Sequence, residues 1–345
     1  MNELYVDAHC HISSDPWTLN HENDNIKNII DDVLQSENSS DSKLLLNIMS
    51  TSHLDHLLLK KCNAFSNKDR YKLGVGVHPW YSYMYSFDRN ISKLDHYLNV
   101  LSFDYSEVAK LLNISVDERD KIEEYIEHKV IETYQSYPDV HYIDDLYPND
   151  VFCSYDFVGE VGLDFAANVL KIADILGLNE IKVSKDHQIK IFQYFLDKFV
   201  NLQNLKFISV HSVKASQATF EIIKGMDETL QQKDRKANIV LHSYTGTIEQ
   251  FNQQYLKLKN INSFISLSTF INCKVPVTKK QGKLISLLDT KHMLIETDVP
   301  ITTNRKDFKF KKNLENTLNV ILNYKKVSLK ELRNEINNNY AGIMD

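Results

Sequence analysis

The chain has 345 residues, 43% of them hydrophobic, and a net charge of −6. That length suits one α/β barrel with insertions, and that apolar content excludes a mainly disordered chain. The acidic balance excludes a basic nucleic-acid coat, and no stretch approaches the apolar run a membrane span needs.

The first short apolar run, residues 4–6, leads into Asp7-Ala8-His9-Cys10-His11. Its flank has neither a basic n-region nor a long apolar h-region, so an intracellular protein, cytoplasmic or nuclear, is expected. A polar insertion over 13–42 follows, with a helical core near 26–34. The second run is 43–49. The third, 71–77, ends in Gly76-Val77-His78-Pro79. Trp80, Tyr81, Tyr83 and Tyr85 come next, read as aromatic packing over a rim, with base stacking as the alternative. A long insertion over 102–150 is expected to be helical around 116–133. Between 103 and 150 it carries 13 acids against 4 bases. Any nucleic-acid surface therefore lies away from it, and it could serve a protein partner.

The fourth run, 157–163, holds Gly159-Glu160-Val161-Gly162-Leu163-Asp164, and a smaller insertion spans 166–183. Ile189, Phe192, Leu196, Phe199 and Val200 then mark one apolar helix face. The fifth run, 207–210, meets His211-Ser212, and the sixth, 239–241, meets His242-Ser243. Thr247 with Gln250 looks like a capping box. The seventh run is 264–267, and the eighth, 293–295, meets Glu296-Thr297-Asp298. Arg305, Lys306, Lys309, Lys311 and Lys312 follow as a basic cluster, read as a solvated helix face. Ser328 with Glu331 opens a last helix as a second capping box. Cys10, Cys62, Cys153 and Cys273 form no CxxC pair and fit free thiols in a reducing compartment.

Eight apolar runs without strict alternation, separated by helical patterns, predict parallel βαβ units. No GxGxxG follows the first run, so a closed TIM (β/α)8 barrel is expected over an open doubly wound sheet. It would be one unit over 1–345, with insertions after strand 1 and before strand 4. The polar residues at the strand ends would converge on one face. On a strand, residues i and i+2 point to the same side, so His9 and His11 could chelate one ion while Cys10 turns away as a buried apolar group. His211, His242, Glu160 and Asp298 recur in the same slot. Such ligands suit Zn, Mn, Fe or Co, and Mg where waters complete the shell. Six of them exceed one open catalytic ion and suit two ions sharing a carboxylate.

The ordered motifs, above all GEVGLD and ETDVP, resemble the TatD family of metal-dependent deoxyribonucleases. The resemblance spans almost the whole chain. It implies an amidohydrolase-superfamily barrel that cuts DNA with divalent metals, often 3′→5′. It also implies that His9, His11 and Asp298 hold a first ion, that Glu160 bridges, and that His211 and His242 hold a second. Asp298 would orient or deprotonate the attacking water, and His78 would contact substrate phosphate. Asp7 and Asp164 are expected to serve structure, and Glu296 either supports a ligand or only packs. Some residues depart from the family pattern. Val213 and Lys214 stand where an Arg usually follows the fifth strand, leaving Lys214 as a point charge for substrate. The segment 266–270 lacks the usual glycine, and Ile301 replaces a frequent aromatic. These departures suggest a divergent eukaryotic branch. The alternatives are a small-molecule metallohydrolase, or a barrel whose acidic insertion serves mainly protein binding.

Overall fold

Apolar strands buried on both faces must pair in parallel beneath a layer of helices, and the eight runs do so. The computed structural model describes residues 3–13, 26–61, 64, 71–302 and 308–345. Its strands are β1 (Glu3–His11), β2 (Ser42–Met49), β3 (Tyr71–Val75), β4 (Phe157–Asp164), β5 (Ile208–Val213), β6 (Ala237–Leu241), β7 (Ile261–Ser268) and β8 (Met293–Glu296). Each pairs in parallel with the next, in sequence order.

The seam between β8 and β1 closes through the residues just past β8. Asp298 N–H donates to His9 O at 2.9 Å, His11 N–H to Val299 O at 3.1 Å, and Ile301 N–H to His11 O at 2.8 Å. The buried Asp7 carboxylate accepts from Thr297 N at 2.9 Å and from Thr297 Oγ1 at 2.6 Å. Asp7 therefore staples the seam, the strand-end role expected of it. The result is the expected TIM barrel.

Val6, Ala8, Met49, Phe157, Phe207, Val240 and Leu294 fill the lower interior, where Tyr340 and Ile343 of the C-terminal helix Leu329–Met344 join them. A larger layer, including Ile48, Val161, Ile208 and Ile295, packs the strands against their helices. The expected apolar face of the helix Lys185–Asn201 lies in that layer, with Phe192, Leu196, Phe199 and Val200 buried. Both capping positions act: Thr247 accepts from Gln250 N–H, and Ser328 and Glu331 form the full capping box.

Two strands carry one extra residue each. On β1, Asp7 faces Leu46 but Cys10 faces Ile48. On β4, Val158 faces Ile208 but Val161 faces Val210. A bulge flips the side-chain parity beyond it. Val6 and Ala8 point into the barrel below the β1 bulge, and His9 and His11 do so above it. Without the bulge, strict alternation from Val6 would aim Cys10 inward.

The helix expected near 26–34 is Ile26–Glu37, and that near 116–133 is Arg119–Thr133. Residues 14–25 of the first insertion, Cys62, and Arg305 and Lys306 of the basic cluster lie outside the described residues. The insertions over 102–150 and 166–183 join each other. Leu101–Phe103 pairs antiparallel with Ile181–Val183, and Glu107 accepts from Asn179 N–H at 2.6 Å. Val108, Ile122, Ile126 and Val130 of this excursion are buried in the same apolar layer as the barrel. Among the described residues, no helix is long and apolar enough to cross a membrane.

Candidate metal centre

The two bulges and the strand ends bring six ionisable side chains to the C-terminal mouth of the barrel. β1 delivers His9 and His11 above its bulge, and β4 delivers Glu160 at its own. His211 lies on β5, and His242 follows β6 directly. Asp298 sits two residues past β8 with φ 56°, a left-handed backbone that Asp tolerates better than most residues. Two glycines permit the close strand approach. A β-carbon on Gly162 would lie 2.0 Å from His211 O, and one on Gly76 would lie 2.3 Å from Glu160 O.

The side chains crowd around Glu160, and two donor sets meet its two oxygens, with His242 also stacked on His9 at 4.0 Å between ring centroids. Around Oε2, His9 Nε2 and His11 Nε2 each stand at 3.4 Å and are 3.2 Å from each other. Asp298 Oδ1 is 3.2 Å from His11 Nε2. Around Oε1, His211 Nδ1 stands at 2.7 Å and His242 Nε2 at 2.8 Å, with 3.1 Å between the two nitrogens. Donor atoms bound tetrahedrally to one zinc-sized ion stand about 3.3 Å apart. The first group's spacings of 3.2–3.4 Å match that value. The second group's, 2.7–3.1 Å, are those of hydrogen-bonded contacts and open by a few tenths of an ångström to admit an ion. The donor types of both groups fit divalent cations.

A ligand imidazole must aim a lone pair at the ion, and the partner of its other nitrogen decides which nitrogen that is. His9 Nδ1 lies 2.9 Å from Ser209 Oγ. His242 Nδ1 faces Glu296 Oε1 at 3.4 Å, and Glu296 is itself fixed by Ser243 N–H at 2.8 Å. His211 Nε2 faces Asp164 Oδ2 at 3.6 Å. Ser209 is within hydrogen-bond distance to take the His9 N–H and leave its inner nitrogen free to coordinate, whereas Glu296 and Asp164 face the outer nitrogens of His242 and His211 as carboxylates at ion-pair distance. Glu296 thus faces a candidate ligand as well as packing, and Asp164 faces His211 while accepting from Ala166 N–H at 2.8 Å.

His78 differs. Its Nε2 is 3.6 Å from Glu160 Oε1 and 3.4 Å from His211 Nδ1, close enough for a seventh ligand. Yet its Nδ1 accepts the Trp80 backbone N–H at 3.2 Å. Burial, only partly opposed by Glu160, lowers His78 to about 3, so the ring is neutral. A neutral ring that accepts at Nδ1 carries its proton on Nε2. His78 therefore presents a donor, not a lone pair, to the mouth.

The ionisation of the cluster follows from its crowding. Burial would raise the Glu160 carboxyl, but His242, His78, His9 and His211 hold it well below its usual range. Burial also opposes ionisation of Asp298, and the His11 contact with the neighbouring imidazoles brings it down to about 2. Burial depresses His9. For His11, His211 and His242 the carboxylates overcome burial and raise the imidazoles. Burial pushes Asp7 up to about 7 against its bonds from Thr297 and His9. A buried cluster that attracts positive charge this strongly suits a cation.

The centre opens into a cavity of about 360 Å³ lined by His11, Thr51, His78, Trp80, Glu160, His211, His242, Ile271 and Asp298, among others. Lys214 is exposed, in left-handed backbone just past β5, and is not among the lining residues. Tyr83 and Tyr85 are buried, as rim packing expects, whereas Trp80 and Tyr81 line the cavity. Cys10 turns away and donates to Asn47 O. Lys311 reaches Ser42 Oγ at 2.8 Å and Lys312 faces Glu315 at 3.6 Å, as on a solvated helix face. Ser209 was not foreseen, although its place two residues before His211 on one strand puts both on the same side.

Comparisons with known proteins bear on the family and the fold. A family model described as TatD related DNase matches residues 6–345. An uncharacterised deoxyribonuclease of Saccharomyces cerevisiae is 31% identical over 308 residues, covering 87% of this chain and 85% of that protein. Among solved structures, an uncharacterised amidohydrolase from S. cerevisiae superposes with a TM-score of 0.57 at 17% identity, covering 99% of each chain. A TatD family hydrolase from Entamoeba histolytica gives 0.57 at 13% identity, covering 99% of this chain and 98% of that one. A TatD homologue from Escherichia coli gives 0.51 at 15% identity, covering 98% and 97%. These structural likenesses concern the fold.

Proposed function

The chain belongs to the TatD related DNase family, and from that premise we propose that it is a metal-dependent hydrolase cleaving phosphodiester bonds of DNA. One observation carries the reading: the two oxygens of Glu160 face different imidazole pairs, Oε2 toward His9 and His11 and Oε1 toward His211 and His242. His9, His11 and Asp298 would hold one divalent ion, His211 and His242 a second, and Glu160 both. Mg, Mn or Zn would serve, lowering the pKa of water and neutralising charge that builds on phosphate oxygens.

The remaining roles belong to the chain's own side chains. Glu160 is 1% exposed and Asp298 23%, so only Asp298 can meet solvent directly. Its ionised carboxylate would orient the attacking water and take its proton at an oxygen. His78 would donate from Nε2–H to a phosphate oxygen, the substrate contact expected of it and the reason to place it outside the ligand set. Lys214, named for the same task from the sequence, is exposed and outside the cavity lining, so any contact it makes would be with substrate beyond the cavity. The whole chain is read as one barrel unit, with 103–150 as an excursion of it. That is supported by the apolar residues that the excursion shares with the barrel layer.

One observation favours a second reading. No Lys or Arg is among the described residues that line the cavity, and its volume is near the lower end for ligand sites. A small phosphoester would need less cationic grip than polymeric DNA. Labelled single- and double-stranded DNA, with Mg or Mn and with EDTA, tests the choice beside a His9→Ala/Asp298→Ala double variant. Metal-dependent shortening, absent from the variant, supports the nuclease, and the polarity of the products tests 3′→5′ action. Intact DNA with stoichiometric bound metal turns the assignment to small phosphoesters.

A further inference from the structure

Trp80 is 48% exposed at the cavity mouth, yet it is held from three sides. Its indole Nε1–H donates to Asp164 Oδ2 at 2.8 Å. Its backbone N–H donates to His78 Nδ1 at 3.2 Å. Its ring meets His78 edge to face, with centroids 4.8 Å apart at 79°. Asp164 is anchored in turn, since Gln188 Oε1 accepts its N–H at 2.9 Å. An exposed Trp that only packs over a rim needs no such tether. A tether that fixes the plane of a half-exposed ring keeps a flat apolar face ready for a flat partner, with little rotamer entropy left to lose on binding.

The opposite wall fits the same partner. Trp80 follows β3 and Ile271 follows β7, and these strands are diametrically opposed in an eight-strand ring of this order. Both line the one cavity, so a planar group entering it has an aromatic face on one side and an aliphatic side chain on the other. The lining is mainly apolar away from the metal ligands. His78 contacts Trp80 and also approaches Glu160, so it lies between the indole and the carboxylate.

Resting on the phosphodiesterase reading, we propose that Trp80 and Ile271 form a nucleobase slot. The base of the nucleotide whose phosphate lies at Glu160 stacks on the Trp80 indole. Stacking on an aromatic is tolerant of base identity, because every base has a π-face. The slot therefore selects a nucleotide over an abasic sugar phosphate without reading sequence. The grip that no Lys or Arg supplies among the described lining residues is supplied by a ring. Asp164 is a positioning residue here, since it aligns the indole on one side and faces His211 on the other.

The chain has two tryptophans, Trp17 and Trp80. In metal-loaded protein carrying Trp17→Phe, emission reports Trp80 alone. Titration with 2′-deoxyadenosine 5′-monophosphate is expected to quench it, and titration with 2-deoxyribose 5-phosphate is expected to leave it unchanged. By competition, Trp80→Ala is expected to weaken nucleotide binding about tenfold and sugar-phosphate binding little, in line with loss of one stacking aromatic. Trp80→Phe keeps a ring without the Asp164 tether and is expected to fall between the two. Equal quenching by both ligands, or equal weakening of both by Trp80→Ala, overturns the slot. A protein that binds nucleotides through Trp80 but cleaves no phosphodiester sinks the hydrolase reading and leaves the slot standing. An active nuclease whose Trp80 emission ignores nucleotides does the reverse.

Discussion

The barrel mouth and the acidic excursion over 103–150 both concentrate ionisable groups, and they use them in opposite ways. The excursion carries 13 acids against 4 bases, with its carboxylates mostly exposed. Where they pair, as Lys129 does with Glu132 at 3.0 Å, both partners stay well exposed. The mouth has far fewer groups, but Glu160, His9, His211 and His242 are buried against one another. Solvent screens charges on the excursion, whereas in the mouth each charge sets its neighbours' protonation. Chemical potency therefore follows burial and mutual orientation, not the count of charges.

That contrast breaks or sharpens under substitution. The largest effect is expected for Asp298→Asn, which keeps the shape of the more exposed of the two candidate ligand carboxylates but not its basicity. Turnover of a DNA substrate should fall by about 10²–10⁴-fold with circular dichroism unchanged. An equal loss of helical signal would mean that Asp298 serves the seam instead. Ser209→Ala touches no candidate ion. It should still weaken metal affinity about 10–100-fold by competition with a chelating dye, because it frees the outer nitrogen of His9.

The strands and the residues that gather at the mouth were legible because both have local signatures. A buried parallel strand is a short apolar run, and a ligand at its end is an abrupt polar residue. His9, His11, His211, His242, Glu160 and Asp298 all announce themselves in that way. The β1 bulge does not, since one extra residue in the pairing leaves residue types unchanged. The i and i+2 argument aimed His9 and His11 correctly, but it could not see that Val6 and Ala8 also point inward. Pairing of Leu101–Phe103 with Ile181–Val183 was hidden because three-residue strands have no period to read. The role of His78 depends on a backbone N–H from Trp80, which only folded coordinates supply. Lys214 was named from its place in a motif, and the folded chain leaves it exposed and outside the cavity lining.

The pH response separates the two regions again. His11, His211 and His242 are raised above the ordinary imidazole range by the carboxylates, so a cation must displace their protons. Metal affinity should therefore rise with pH through neutrality and fall as these imidazoles protonate. Calorimetry in buffers of different ionisation enthalpy should register proton release, and none would contradict the ionisation described for the mouth. A smaller effect is expected at the seam. Thr297→Val removes a donor from buried Asp7 and should lower stability by about 1–3 kcal/mol in urea unfolding. The smallest effect belongs to the excursion, where Lys129→Ala should leave both the unfolding midpoint and turnover unchanged.

The central claim is that one carboxylate, Glu160, joins two cation sites. Metal content of wild type and of Glu160→Gln, measured by mass spectrometry after equilibrium dialysis against divalent metal, tests it most directly. The account predicts two ions per wild-type chain, and a variant that folds but retains neither at stoichiometric level. A wild type that saturates at one ion, or a variant that still holds two, would contradict it.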